Sequence, residues 1–403
     1  MGGALWAHYD RESMPSTTRA RALLVAGLLA AAGAAAPSPA RASDSPDDDA
    51  WNVVDLTRFQ NTHAQVLAGQ ASPLTVKVLF VPLADDDGKN PGTDGVTVGV
   101  LDSWLAQTNK IYATSKSNVT LVRDPRTSLA PIRSTAANND CFLDASPSPF
   151  ATPASVCKKN GLQAAAMSDI ALRYPDAIVV FLRGGNWEPK KTDGKWTLVR
   201  TAGNWSSGAG SYVAFGPGNG GVQLGHEIGH YLHLAHTHRY MPKSTGEAER
   251  WLAARVEAGE TPEQAYRSLF DGDYGRLVGD TAPDPSWDLV ASANGAGACG
   301  PFFTPLELVF RAKEKTFRLN VAPPRTNVMA YYMTCNYDFV TTPGQAARMR
   351  VALLYANRRA LVFPVVAKCA YDKGVAGELP PALSLQMKAA ARQQKLDECL
   401  HPK

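Results

Sequence analysis

The stretch that decides the fold is residues 224–236, which read LGHEIGHYLHLAH. Its core is His226-Glu227-x-x-His230, and on a helix this spacing places the two imidazoles on one face, where both can reach one metal ion. Glu227 would lie beside that ion as the candidate general base. Catalytic zinc sites have about three protein ligands and leave a further position open for water, so a third ligand is required.

Two further histidines, His233 and His236, compete for the place of the third ligand. On an unbroken helix His233 would lie roughly 10 Å along the axis from His226, at about 1.5 Å per residue. A single zinc ion with bonds of about 2.1 Å to nitrogen cannot span that separation. If the helix ends near His233 and the chain folds back, His236 can return beneath the metal. We therefore expect His236 to be the third ligand and His233 to be a turn residue, because histidine is enriched at positive φ.

A second motif, Asn327-Val328-Met329-Ala330-Tyr331, lies about 100 residues further along the chain. Together with HExxHxxHxxH it resembles the Met-turn of metzincin metalloproteases. Three other features are similar to the pappalysin-type metzincins: GDTAPD at 279–284, Cys335, and TPGQAARM at 342–349. The resemblance covers about residues 75–360, and it departs from the family pattern at His233, where that pattern has glycine.

The resemblance implies a metzincin zincin fold of the α+β class with an α/β-like upper half. That half would hold a twisted, mostly parallel sheet, a backing helix and the active-site helix, above a mainly helical and irregular lower subdomain. It further implies a zinc endopeptidase whose zinc is held by His226, His230 and His236, with Glu227 as general base. Tyr331 would hydrogen-bond the developing oxyanion, and Met329 would pack beneath the metal without ligating it.

The hydrophobic pattern predicts the order of elements in the upper half. Strands are expected at 74–82, 118–122 and 177–182, with helices over 100–112 and 161–174, and this βαβαβ order predicts a mostly parallel sheet. Residues 184–210 are expected to form a loop, and 211–215 a short edge strand. The metzincin resemblance implies that this strand pairs with extended substrate, although it could be only an edge strand. Helices are expected at 247–258, 261–270, 306–320, 343–360 and 383–398.

The N-terminal region has the pattern of a secretory signal. Arg19 and Arg21 precede an apolar run over 22–36, and Ala40-Arg41-Ala42 is a typical cleavage site. The run is shorter than the ~20 residues that span a bilayer, so a permanent anchor is the weaker interpretation. We expect a signal at 1–42, a linker or short pro-segment at 43–72, a catalytic domain at 73–362 and a tail at 363–403. The mature protein would be secreted or periplasmic.

Six cysteines follow the expected cleavage site, and export to an oxidising compartment makes disulfides the expected state. Six cysteines allow 15 connectivities, between which the sequence does not choose. Neighbour pairing would join Cys141 to Cys157, Cys299 to Cys335, and Cys369 to Cys399. The second of these pairs is the one that the pappalysin resemblance implies.

The net charge and the acidic residues give little indication of binding partners. The net charge of +4 falls to about +2 once four arginines and two acids leave with the signal, and no basic stripe suggests nucleic acid. The mature protein also has no element expected to bind a membrane, and its oligomeric state is open. Acidic residues at 271, 273, 280 and 284 make calcium a second candidate metal, although the EF-hand spacing is absent.

Two other functions are compatible with these motifs. One is a secreted binding or adhesion protein that keeps the metzincin fold but has lost turnover, with His233 as the symptom. The other is a different class of zinc hydrolase, in which a downstream carboxylate such as Glu247 or Glu249 is the third ligand. The intact Glu227 argues against the first, and the Met-turn argues against the second. Proteins or peptides outside the cytoplasm are therefore the expected substrates.

Overall fold

The computed structural model describes residues 53–134, 138–141, 163–192, 195–201, 205–206, 212–216, 219–237, 244–270, 306–321, 324–330, 338–373 and 389–400, with 242, 278, 280–281, 284–285, 289 and 332. The expected signal peptide, Tyr331, and the two cysteine pairs 141–157 and 299–335 lie wholly or partly outside these residues. In the described part of the chain, none of the helices has the length and apolar character needed to cross a bilayer.

A six-stranded sheet organises the first half of the chain. Its strands are β1 (Leu74–Ala84), β2 (Val119–Arg123), β3 (Ile132–Arg133), β5 (Ala177–Leu182), β8 (Trp205–Ser206) and β9 (Tyr212–Phe215). The order is β2-β1-β5-β9-β8, with β3 paired to the end of β1. All pairings are parallel except that of β8 with β9, so the predicted mixed fold with a mostly parallel sheet is confirmed.

Alternation along β1 sends side chains to two separate cores, as the pleat requires. Val76, Val78 and Phe80 face the larger core, which also contains residues of α2 (Val98–Ala113) and α4 (Gly221–Tyr231). Leu79 and Val81 face the smaller core, which also contains residues of α3 (Gln163–Leu172). The sheet is therefore covered by helices on both faces, and α4 lies on the same side as α2.

The structure corrects four of the predicted elements, two of them near the sheet. The expected loop over 184–210 contains a hairpin of β6 (Gly185–Thr192) and β7 (Lys195–Thr201), and β4 (Asn139–Cys141) pairs with β6. The strand at Tyr212–Phe215 is not at the edge, because β8 pairs with it through Trp205–Ala214 and Ser206–Val213.

The other two corrections concern 53–67 and 306–320. The segment at 43–72, expected to be a linker or short pro-segment, contains α1 (Val53–Leu67), where Phe59 and Val66 are buried in the larger core. The predicted helix over 306–320 is instead a hairpin of β10 (Leu306–Ala312) and β11 (Lys315–Val321). Alternate residues of β10 are buried, and Lys313 and Glu314 form its turn at φ 48° and 62°.

The remaining helices form the second half of the chain. They are α5 (Thr245–Glu257), α6 (Pro262–Phe270), α7 (Pro343–Tyr355), a 3-10 turn (Arg359–Leu361), α8 (Pro364–Asp372) and α9 (Ala389–Leu400). The hairpin β10–β11 and helices α5 and α6 share a separate apolar core. The expected bond between Cys369 and Cys399 is present and joins α8 to α9.

Candidate metal centre

Helix α4 is held tightly against α2 along its first two turns. Tyr112 Oη donates to the carbonyl of Gly225 at 2.7 Å, and Thr108 Oγ1 donates to the carbonyl of Gly221 at 2.9 Å. A Cβ at Gly221 would lie only 2.6 Å from the carbonyl oxygen of Trp104, so a side chain there would push the two helices apart. These contacts fix the position of α4 along α2 and its rotation about its own axis, and α4 carries His226 and His230.

The chain turns back immediately after α4, as the sequence predicted. The amide of His233 donates to the carbonyl of His230 at 2.9 Å, and the amide of Leu234 donates to the carbonyl of Gly229 at 2.8 Å. His233 itself has φ 67°, in the left-handed region. A left-handed residue after the last turn ends a helix and reverses the chain, and this brings His236 back towards the helix.

The structure brings His226, His230 and His236 together. Their Nε2 atoms are 3.0 Å apart for His226 and His230, 3.0 Å for His230 and His236, and 3.3 Å for His226 and His236. Among the described histidines, cysteines and acids, these three are the group whose ligand atoms could hold one metal ion. His233 is not part of this group, because its Nε2 lies 2.9 Å from Oδ1 of Asn357.

The far side of two of these imidazoles is held by the backbone. His226 Nδ1 lies 2.7 Å from the carbonyl oxygen of Val328, and His230 Nδ1 lies 2.6 Å from that of Leu234. A carbonyl oxygen only accepts, so Nδ1 carries the proton and Nε2 presents its lone pair to the cluster. Burial also lowers the pKa of His230 to about 4 and keeps the neutral form, which is the form that binds metal.

The segment around Met329 packs against α4 and against the turn that carries His236. Gly229 faces Met329 so closely that a Cβ there would lie 2.7 Å from Sδ. The amide of Thr237 donates to the carbonyl of Met329 at 3.3 Å, which ties the residue after His236 to the same segment. Met329 is fully buried, as expected for a packing residue.

A pair of amide side chains holds this segment in place. Asn327 Nδ2 donates to Gln345 Oε1 at 3.0 Å, and Gln345 Nε2 donates to Asn327 Oδ1 at 3.1 Å. The amide of Met329 also donates to Asn327 Oδ1, at 2.9 Å. Gln345 belongs to α7, so the first turn of that helix fixes the Met329 turn.

The other candidate residues have different outcomes. Glu227 is buried on α4, next to His226 in the chain and 7% exposed. Tyr331 lies outside the described residues, so its role stays a prediction. Of the acids considered for calcium, 271 and 273 also lie outside them. Asp280 accepts from Thr342 Oγ1 and Gly344 N at 2.9 and 2.7 Å, and Asp284 accepts from Thr237 Oγ1 at 2.5 Å.

Sequence reasoning missed the groups that surround the turn after α4. Arg348 donates through Nε to the carbonyl of His233, and Arg358 donates through Nε to that of Tyr231 at 3.0 Å. Arg348 belongs to the TPGQAARM segment, which resembles the pappalysin pattern. That resemblance marked Arg348 as a residue of interest but did not show that it binds the carbonyl of His233. Asn357 and Arg358 follow the end of α7, and no spacing rule connects them to residues more than 100 positions earlier.

Comparisons with known proteins name no family for this chain. No family model matches it, and no curated protein matches it. Among solved structures, mirolysin in complex with compound 9 matches with a TM-score of 0.38 and 12% sequence identity. That match covers 76% of this chain and 100% of the mirolysin chain. A similarity at this level indicates no chemistry for this chain.

Proposed function

We propose that this protein is a zinc-dependent endopeptidase of the metzincin type, most similar to the pappalysins, that acts outside the cytoplasm. One observation carries the proposal: three histidine Nε2 atoms converge to within 3.0–3.3 Å of one another. Two of these imidazoles are held by backbone carbonyls in the tautomer that points Nε2 at the common centre.

The donor set fits zinc. Three neutral imidazoles suit zinc among the common metals, and a set of three protein ligands leaves a position for water or substrate. When bound, zinc supplies Lewis-acid polarisation of a peptide carbonyl and lowers the pKa of its water towards about 7. His226, His230 and His236 would hold it, and their neutral charge would leave its double positive charge uncompensated.

Glu227 would move the proton in the reaction. Its carboxylate follows His226 on α4, on the helix that supplies two of the ligands. It would accept a proton from the attacking water and then deliver that proton to the amine of the leaving peptide. Tyr331, two positions after Met329, would donate a hydrogen bond to the carbonyl oxygen as negative charge develops there.

The expected location follows from cysteine chemistry. The bond between Cys369 and Cys399 supports a protein that matures in an oxidising compartment. Proteins or peptides in that compartment are the proposed substrates. A calcium ion near Asp280 or Asp284 remains a subsidiary proposal, and both carboxylates accept hydrogen bonds from neighbouring protein groups.

The decisive experiment measures metal content and cleavage of a denatured protein in the wild type, Glu227→Gln and His236→Ala. We expect about one zinc per chain in the wild type, with cleavage that a chelator abolishes. Glu227→Gln should keep the zinc and lose activity by about 100-fold or more, because it removes the proton acceptor but no ligand.

His236→Ala should lose zinc, because it removes one of three ligands. Zinc in the wild type without cleavage would favour the alternative of a binding protein. An unchanged zinc content in His236→Ala would contradict the three-histidine site and direct attention to a carboxylate ligand such as Glu247 or Glu249.

A further inference from the structure

The turn between His230 and His236 has an unusual residue at its tightest point. His233 has φ 67°, a conformation that costs a residue with a Cβ about 1–2 kcal/mol relative to glycine. Glycine would remove that cost, and glycine is what the family pattern has at this position. The contacts of the His233 side chain therefore bear on why histidine stands there.

The imidazole of His233 is partly buried and is held from another element. Its Nε2 lies 2.9 Å from Oδ1 of Asn357, in the turn that follows α7. Since an amide oxygen accepts, the imidazole donates through Nε2. Glycine could not make this bond, and asparagine at position 233 would be too short to reach Asn357.

Two arginines hold the backbone of the same turn. Arg348 donates to the carbonyl of His233, and Arg358 donates to the carbonyl of Tyr231 at 3.0 Å. The guanidinium of Arg358 also lies over the ring of Tyr231, 3.7 Å from its centroid. Both arginines are buried, 3% and 7% exposed. Their hydrogen bonds satisfy carbonyl groups that have no partner within the helix. Their positive charge also lies at the C-terminal end of α4, where the helix dipole favours it.

We propose that His233, Asn357, Arg348 and Arg358 form a latch that holds the turn at 232–236 in the conformation that places His236 beside His226 and His230. These are positioning residues and do not touch the metal. The inference rests on the proposed function, in which His236 is a zinc ligand. It assigns His233 a task that glycine cannot perform.

The latch and the alternative, a histidine that is merely tolerated, predict opposite effects of His233→Gly. A tolerated histidine only adds backbone strain, so glycine would leave zinc affinity unchanged or raise it. A latching histidine restricts the turn, so glycine would let the metal-free chain populate conformations that cannot bind. Apparent affinity falls in proportion to the fraction of competent molecules.

The test uses the full-length mature chain with His233→Gly, His233→Asn, Asn357→Ala and the double variant His233→Asn/Asn357→Ala. Asparagine is the informative replacement because it accepts a left-handed backbone but removes the contact. Asn320→Ala, at an exposed asparagine of β11, controls for the loss of an asparagine side chain. Zinc dissociation constants are measured by competition with a chromophoric chelator, and amide exchange of 232–237 is measured without metal.

Each latch variant should bind zinc about threefold to tenfold more weakly, the range expected for loss of one hydrogen bond. Each should also exchange the amides of 232–237 faster, while Asn320→Ala does neither. The double variant should be no weaker than either single variant, because both remove the same contact.

Unchanged or tighter zinc binding by His233→Gly, additive losses in the double variant, or unchanged exchange at 232–237 would each overturn the latch. His236→Ala separates this result from failure of the proposed function. If His236→Ala binds zinc as the wild type does, the three-histidine site is wrong. Amide exchange still tests the latch in that case, because that measurement needs no metal.

Discussion

At the scale of single residues, Gly229 determines how closely the Met329 turn can approach α4. A Cβ at this position would lie 2.7 Å from Met329 Sδ and 3.4 Å from Leu234 Cδ1, so one side chain must shift. Gly225, one turn earlier on the same helix, has its nearest neighbour, Thr108 Cγ2, at 3.4 Å. The two glycines therefore form a matched pair in one helix.

Gly229→Ala should lower the free energy of unfolding by about 1–3 kcal/mol, the usual cost of overpacking a core. It should also weaken zinc binding, because Val328, next to Met329, holds the imidazole of His226 through its carbonyl. Gly225→Ala should be neutral or stabilising by up to about 1 kcal/mol, since alanine favours the helix. Urea unfolding of both variants tests this, and equal effects of the two substitutions would contradict it.

Asp284 gives the metal-free protein a distinctive dependence on pH. Burial raises the pKa of its carboxyl to about 7, and the hydrogen bond from Thr237 opposes part of that rise. In the unfolded chain the pKa is about 3.9. Between these values the folded state holds a proton that the unfolded state has lost, so this contribution to stability falls as pH rises from 4 to 7.

We expect the free energy of unfolding of wild type minus that of Asp284→Asn to fall by about 3 kcal/mol between pH 4.5 and pH 7.5. His230, whose pKa is lowered by burial, makes stability rise with pH over part of this range. Both proteins retain this histidine, so its effect cancels in the difference. Chemical unfolding of the metal-free proteins at the two pH values measures it. A difference that stays constant with pH would show that Asp284 titrates normally in the folded state.

At the scale of elements, α1 belongs to the folded domain. It packs against α7, Phe59 and Val66 enter the larger core, and Thr62 is 2% exposed. On α1 itself, His63 Nε2 lies 3.7 Å from the Asp280 carboxylate, which also accepts a hydrogen bond from the first turn of α7. Removal of α1 as part of an inhibitory segment would expose the core residues that α1 now covers. We therefore expect α1 to stay in the mature protein.

Phe59→Ala should cost about 3–5 kcal/mol of unfolding free energy, as for other buried phenylalanines. Leu67→Ala on the same helix should change it by at most about 0.5 kcal/mol, because Leu67 is 55% exposed. Thermal or urea unfolding of the two variants and the wild type distinguishes them. If Phe59→Ala unfolds like the wild type, α1 does not stabilise the domain that it packs on.

The hairpin β10–β11 shows why some elements were not predicted from the sequence. Residues 306–320 contain lysine, glutamate, arginine and leucine, all good helix formers, and the expected helix followed from them. The apolar alternation of β10 prevailed because Leu306, Leu308 and Phe310 are buried in the core they share with α5 and α6. Propensity is a weak guide when burial of one strand face opposes it.

At the scale of the whole molecule, the C-terminal tail is clamped back onto the first half of the chain. Leu396 and Leu400 of α9 share an apolar cluster with Leu172 of α3. Tyr371 of α8 donates to Asp176, which also pairs with Arg126. The disulfide between Cys369 and Cys399 closes a loop with a sequence separation of 30 residues and ties the two tail helices together.

Replacing both cysteines with serine should lower the free energy of unfolding by about 3–4 kcal/mol, because the unfolded chain regains the entropy of the open loop. Zinc affinity should change little, since α8 and α9 contribute no ligand. The check is an unfolding curve of Cys369→Ser/Cys399→Ser beside the wild type. Coincident curves would mean that the tail helices dock without help from the bond.

By itself, the sequence determined what depends on neighbouring residues: the histidine spacing of α4, the βαβαβ order and the reversal at His233. Helical and strand periodicity, and the steric limits on φ, act over a few residues and can be read directly. Only the tertiary structure decided which distant groups meet. Val328 reaches His226 across 102 positions, and Asn357 reaches His233 across 124, through packing that no local pattern encodes.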